Sequence, residues 1–236
     1  IMVGEEDHIR LQVMRAGMAL DEAYQVAERL DDELDGQFVY AFDEKLGFLT
    51  QCPTNLGTGL RASVMLHLPA LEKTGTLARI ENSITKLGLT IRGTFGEGSG
   101  VTGSLYQISN QITLGISEHD AIENLKAIVS QIVEQERRLR SQLAGTDSYE
   151  DQVHRALGTL QSARILSSEE FYKLISFVRM GISTGTIEGV SLETVNSLIW
   201  SMGSAGLMEI DSANKDVATR DKSRAQIVRS CLASSQ

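Results

Sequence analysis

Apolar and polar positions follow two different periods along this chain, and the change of period divides it. Ile9, Leu11 and Val13 alternate with Arg10 and Gln12, the rhythm of a half-buried strand. The pattern therefore predicts strands over 1–3 and 8–14. Ala23, Val26, Ala27, Leu30 and Leu34 instead recur every three or four residues, which predicts an amphipathic helix over 20–34. A hairpin is expected from 38–42 and 48–51 around Asp43–Gly47, and an extended segment over 61–68. A helix over 76–87 closes on Gly88, and strands over 89–95 and 105–109 flank a glycine-rich loop. Ser117 with Asp120 three residues later opens a helix that runs to about Leu143.

Beyond Ser148 the spacing is helical throughout. Helices are expected over 151–165, 168–180, 192–201 and 219–233. The division falls near Gly145-Thr146-Asp147, giving domains of 1–146 and 147–236. The expected class is α+β: an antiparallel sheet flanked by helices, followed by a small all-helical domain.

Charge divides at the same place. Residues 1–147 carry 13 Lys and Arg against 21 Asp and Glu, whereas 148–236 carry 9 against 10. The net charge of −9 argues against bulk binding to a nucleic-acid backbone. Within the second part, Lys215–Arg229 holds five basic residues against two acids, a local basic patch. Two cysteines are too few for a disulfide framework and suit a reducing cytoplasm. Four scattered histidines give no zinc spacing. No apolar run reaches the roughly 18 residues of a membrane span. The chain opens on Ile1-Met2-Val3-Gly4, already strand-like, with no natural start.

Three segments could carry chemistry. The first is Gly4-Glu5-Glu6-Asp7-His8-Ile9-Arg10. Three consecutive acids are a solvated turn, or a carboxylate that grips or deprotonates a cationic nucleophile beside a phosphate-holding Arg10. The second is Cys52-Pro53-Thr54-Asn55-Leu56-Gly57-Thr58-Gly59, a tight loop of little bulk leading to Arg61. Read alone, Cys52 is more often a buried, inert thiol, and Arg61 reads as a surface arginine. The third is Arg92–Gly103, five glycines in twelve residues between two strands. It reads as a flexible loop or as a lid that excludes water, and it is not a Walker loop because no Gly-Lys-Ser/Thr follows.

Together, Glu-Glu-Asp-His-Ile-Arg at 5–10, Cys-Pro-Thr-Asn-Leu-Gly-Thr at 52–58, Arg-Ala-Ser-Val at 61–64, Arg-Gly-Thr-Phe-Gly-Glu at 92–97 and Ile-Ser-Asn at 108–110 resemble the catalytic domain of the guanidino (phosphagen) kinases. That resemblance implies roles. Glu6 would orient and deprotonate the guanidinium, with Asp7 assisting and Cys52 beside it as a thiolate. Arg10, Arg61 and Arg92 would bind ATP phosphates, Ala62, Ser63, Val64 and Met65 would line the nucleotide site, and Gly93, Thr94, Phe95, Gly96 and Glu97 would close on the phosphates. Magnesium would be bound through those phosphates.

The helical continuation resembles a narrower group. Arg220-Asp221-Lys222-Ser223-Arg224-Ala225, with Gly59–Leu71, is similar to the bacterial protein arginine kinases (McsB-type). There the motif implies an allosteric phosphoarginine pocket. Four residues apart on a helix, Arg220 and Arg224 are expected on one face, where two guanidinium forks would suit a doubly charged phosphoryl group. The resemblance implies ATP-dependent phosphorylation of protein arginines in the cytoplasm, marking them for a Clp-type AAA+ protease in a stress response. It also implies a homodimer, a zinc-binding activator protein (McsA-type), and roughly a hundred residues before Ile1. Two other readings stay open. One is a non-catalytic phosphoarginine-binding module, suggested by Gly4 and Gly100, which stand where the family carries asparagine and glutamate. The other is a small-molecule guanidino kinase.

Overall fold

In the computed structural model, residues 1–93, 102–213 and 216–233 are described. They form two compact units, and the units do not follow one cut in the chain. The first comprises Ile1–Leu66, Leu77–Arg92 and Gln107–Val133. The second comprises His67–Thr76, the described part of Gly93–Tyr106, and Glu134 onward. Segments whose sequence reads with the sheet thus pack with the helices.

The first unit begins with β1 (Met2–Val3) paired antiparallel to β2 (Ile9–Arg10). Helix α1 (Leu20–Asp35) follows, its apolar stripe half-buried and its polar side exposed. Strands β3 (Phe42–Asp43) and β4 (Gly47–Phe48) form the hairpin, with Tyr40 and Phe42 meeting Phe48 edge to face. Strand β5 (Ser63–His67) is followed in the chain by α2 (Pro69–Lys73), which belongs to the second unit. Helix α3 (Leu77–Thr85), β6 (Leu89–Gly93) and β7 (Leu105–Asn110) follow, and the sheet order is β5-β7-β6. The bonds Leu68 N to Ser104 O and Asn110 N to Ala62 O run β7 antiparallel to β5. The α+β class is as expected, but the strands described make three small sheets rather than one large one.

Helix α4 (Glu118–Leu143) opens on the Ser117–Asp120 capping pair, where Ser117 Oγ accepts from Asp120 N at 3.1 Å. Its buried stripe runs Ile122, Leu125, Val129 and Ile132, and the next position of that stripe is Glu136. A carboxylate on an apolar stripe must be paired or cap something; Glu136 does both.

The second unit is helical: α5 (Asp147–Ser162), α6 (Ser168–Ser183), α7 (Leu192–Ser201), α8 (Ser204–Ile210) and α9 (Val217–Ala233). Helix α5 packs on α6 and α9, and α6 on α7. The core is Val153 and Leu160 of α5, Phe171, Ile175 and Val178 of α6, Val195 of α7 and Val228 and Leu232 of α9. Serines cap the two central helices: Ser167 accepts from Glu170 N, and Ser191 from Thr194 N. Among the described residues, no helix is long and apolar enough to cross a membrane.

Candidate functional site

The acidic segment is the turn between β1 and β2. Gly4 takes φ +76° and donates its N–H to His8 O at 3.0 Å, closing the turn. Left-handed backbone favours glycine, with asparagine next. Glycine is therefore the residue that this turn favours. Glu6 is exposed. Arg10 Nη1 reaches Glu5 Oε2 at 2.6 Å, both side chains being nearly half exposed. Asp7 points elsewhere: Oδ1 accepts from Gln51 N at 2.8 Å and Oδ2 from Asn55 Nδ2 at 3.2 Å. One carboxylate therefore ties the acidic turn to the loop that carries Cys52.

That loop is held from both sides. Cys52 O accepts from Asn55 N and from Thr50 Oγ1, which makes a tight turn, and Cys52 Sγ lies 2.9 Å from Thr54 Oγ1. Gly57 pairs with Phe48 of β4, N–H to O in both directions. Its φ is +111°, and a Cβ there would collide with the Thr113 carbonyl and lie 2.8 Å from Leu114 Cα. Only glycine fits between the hairpin and the 113–114 backbone.

Arg61 precedes β5 and is exposed, with Nη2 3.3 Å from Ser109 Oγ on β7. Asn110 fastens the same stretch. Its Oδ1 accepts from Ala62 N at 2.7 Å, and its Nδ2 donates to Leu60 O and Ile112 O. Ser63, Val64 and Met65 are half-buried on β5, and Ala62 is buried. Arg92 is half-buried near the end of β6, followed by buried Gly93. Thr94, Phe95, Gly96, Glu97 and Gly100 lie outside the described residues, as does Lys215. Sequence reasoning passed over Asn55 and Thr113. The available signal was a polar residue, Thr113, left among apolar neighbours between a strand and a helix cap.

On α9 the arrangement differs from the one expected. Arg224 is only 1% exposed. Its Nε donates to Met202 O at 2.9 Å, and Nη1 donates to Leu166 O and Asp221 Oδ1, each at 2.7 Å. Asp221 O in turn accepts from Leu166 N. Arg224 and buried Ala225 thus fasten α9 to the start of α6 and the end of α7. Arg220 and Ser223 are half-buried and Lys222 is exposed, so the open side of the motif belongs to these three.

The second unit also holds a buried polar network. Glu136 accepts from Ala70 N and Leu71 N at the start of α2, and from Arg140 Nε at 2.6 Å. Arg140 also donates to Ser183 Oγ, to His67 O at 2.6 Å and to His67 Nδ1 at 3.2 Å. Since Nδ1 accepts, Nε2 carries the proton and donates to Ser176 Oγ at 2.8 Å. Burial first, then the Arg179 and Arg140 guanidiniums, holds the His67 pKa well below the usual imidazole range. No group of three His, Cys, Asp or Glu side chains able to hold a metal ion occurs among the described residues.

Residues 1–139 match the family described as ATP:guanido phosphotransferase, C-terminal catalytic domain, and residues 146–236 match the protein-arginine kinase McsB C-terminal domain. A protein-arginine kinase of Clostridium acetobutylicum is 50% identical, over 98% of this chain and 69% of its own length. One of Clostridium tetani is 48% identical over the whole chain and 70% of its own length. Among solved structures, the duplicated taurocyamine kinase of Schistosoma mansoni with bound transition-state-analogue components superposes with a TM-score of 0.52. It is 30% identical, over 67% of this chain and 24% of that one. With both halves matched in order, the chain belongs to the protein-arginine kinase family of the ATP:guanido phosphotransferases.

Proposed function

We propose that this protein transfers the γ-phosphoryl group of ATP to arginine side chains of other proteins. The observation that carries this reading is Asp7. Its two oxygens hold Gln51 and Asn55, making the acidic turn and the Cys52 loop one site. In that site Glu6 accepts a proton from the substrate guanidinium. The freed nitrogen forms the N–P bond as the bond from the γ-phosphorus to its bridging oxygen breaks, releasing ADP. Cys52 stands beside the guanidinium, and Asp7 acts by holding the two loops.

The donor set fits a polyphosphate. Arg10, Arg61 and Arg92 supply guanidinium forks, which match phosphate oxygens better than point charges do. Magnesium would be carried on those phosphates, and it would help neutralise their charge. The helical part, 147–236, is the regulatory domain of this proposal. Phosphoarginine binds at the α9 motif, gripped by Arg220 and Lys222 and held in place by Asp221, Ser223, Arg224 and Ala225. Dimerisation, a McsA-type activator, delivery of marked proteins to a Clp-type protease and a cytoplasmic setting complete it.

Gly4 stands where the turn takes a left-handed φ, which glycine adopts without strain, and this favours an intact acidic turn over a decayed one. The test is incubation with ATP, Mg2+ and an unfolded protein. Acid-labile phosphate on arginine, abolished by Glu6→Gln, is expected. Phosphate on free arginine alone would make it a small-molecule kinase. Binding of phosphoarginine without binding of ATP would make it a reader only.

A further inference from the structure

Thr113 lies outside every helix and strand, yet it is 7% exposed. A buried threonine in irregular backbone must place its hydroxyl on a partner. Its Oγ1 hydrogen is shared between Thr54 O at 3.1 Å and Leu56 O at 2.8 Å. Its own carbonyl accepts from Thr58 N at 2.9 Å and forms the wall against which Gly57 is pressed. Four of the five residues from Thr54 to Thr58 are therefore set by this one residue. The first of them is the link to chemistry. Thr54 O is held by Thr113, and Thr54 Oγ1 is 2.9 Å from Cys52 Sγ. Two contacts in series connect a residue distant in sequence to the thiol.

The neighbouring anchor does something different. Asn110, three residues earlier, fastens Leu60 and Ala62, the stretch that carries Arg61. The short segment 110–113 thus has two separate outputs: Asn110 toward the phosphate-binding arginine, and Thr113 toward the cysteine.

We propose that Thr113 is a positioning residue for the guanidinium side of the site, acting through Thr54 on Cys52 and leaving the nucleotide side unaffected. This rests on the proposed role of Cys52 in arginine phosphorylation. Its hydroxyl, rather than its bulk, does the work. Thr113→Val keeps the shape and removes the donor, and Thr113→Ser keeps the donor.

The test runs in a Cys231→Ser background, so that iodoacetamide reports Cys52 alone. In Thr113→Val the loop loosens and Cys52 alkylates about fivefold faster, the scale of one lost hydrogen bond. Arginine phosphorylation loses about tenfold in kcat, with KM for ATP unchanged. Thr113→Ser restores both. Thr54→Val alone reproduces the faster alkylation, and adding Thr113→Val to it changes alkylation little further, because the two act in series. Thr54→Val also keeps the question open to measurement should Thr113→Val fail to fold. Wild-type alkylation in Thr113→Val or in Thr54→Val would overturn the proposal, as would a Thr113→Ser variant no better than valine. A raised KM for ATP with unchanged kcat would overturn it too. If the wild type phosphorylates no arginine but Cys52 alkylation still follows Thr113 and Thr54, it is the kinase reading that fails, not the placement of the loop.

Discussion

Arg61 and Arg224 stand in the two motifs that first suggest phosphate chemistry, yet their surroundings are opposite. Arg61 is exposed at the start of β5, reaching Ser109 Oγ at a long 3.3 Å. Arg224 is 1% exposed and directs its donors at Met202 O, Leu166 O and Asp221. A guanidinium removed from water must satisfy its donors within the protein, and those donors are then lost to a ligand. In the Cys52 loop, carbonyls and amides are held by threonine, asparagine and the Asp7 carboxylate. In α9 a guanidinium is itself the fastener. The same residue type is thus exposed in one motif and a buried structural fastener in the other.

The largest test of that contrast is Arg224→Ala. Two buried carbonyls lose their donor and Asp221 loses its partner, so unfolding free energy should fall by about 3–5 kcal/mol, read by urea titration. Arg61→Ala should leave the same titration within about 0.5 kcal/mol of wild type. An Arg224→Ala protein of full stability that no longer responds to phosphoarginine would reverse the assignment.

Gly57→Ala tests the other motif at its tightest point. A methyl group at φ +111° faces the Thr113 carbonyl and Leu114 Cα, both backbone, which cannot rotate away. The expected loss is about 1–3 kcal/mol in urea titration, with faster alkylation of Cys52 because the loop must shift. Gly75→Ala, at φ +67° with nothing within 4 Å, shows what a positive φ costs without a collision, and the loss there should be smaller.

Most of the catalytic half was legible because its signals are local. Gly4, the Cys-Pro turn and Gly57 each answer to a turn or a positive φ that sequence alone suggests. Long helices were legible for the same reason, through stripes such as Ile122, Leu125, Val129 and Ile132. Helices α2 and α8, with five and seven residues, are too short to establish a period. Helix α5 begins at Asp147 rather than 151 because its buried stripe already starts at Tyr149. Long-range partners were not legible at all. Thr113 and Asp7 act on residues more than forty positions away, and nothing around Arg224 in the chain foretells that Met202 O and Leu166 O await it. Helical spacing put Arg220 and Arg224 on one face; it could not say that Arg224's end of that face is buried.

The comparison also predicts which part of the molecule responds to acid. His67 is held neutral by burial and by Arg179 and Arg140, with Glu136 engaged on the α2 amides and Arg140. Its folded pKa lies below the value of about 6.5 that it takes when unfolded. Below that pH the unfolded chain binds the extra proton and the folded protein does not, so stability falls as pH drops and is flat above it. The slope is at most about 1.4 kcal/mol per pH unit. His67→Gln, which preserves a donor and an acceptor, should remove that component from urea titrations between about pH 5 and 6.5. An unchanged slope would place the acid sensitivity elsewhere.

Arg10→Ala should have the smallest effect on stability and the most telling one on binding. Its bond to Glu5 joins two side chains nearly half exposed, where water and salt screen the attraction. Urea titration should register no more than about 0.5 kcal/mol. If Arg10 grips a phosphate when ATP arrives, it exchanges Glu5 for the ligand, and ATP affinity by calorimetry should weaken about tenfold. Glu5→Gln should then act in the opposite sense on affinity, because it releases a competitor for the guanidinium. Arg10 and Arg224 would thus mirror each other: one almost silent in folding and required for the ligand, the other required for folding and closed to it. A stability loss in Arg10→Ala comparable to that of Arg224→Ala would remove burial as the feature that separates them.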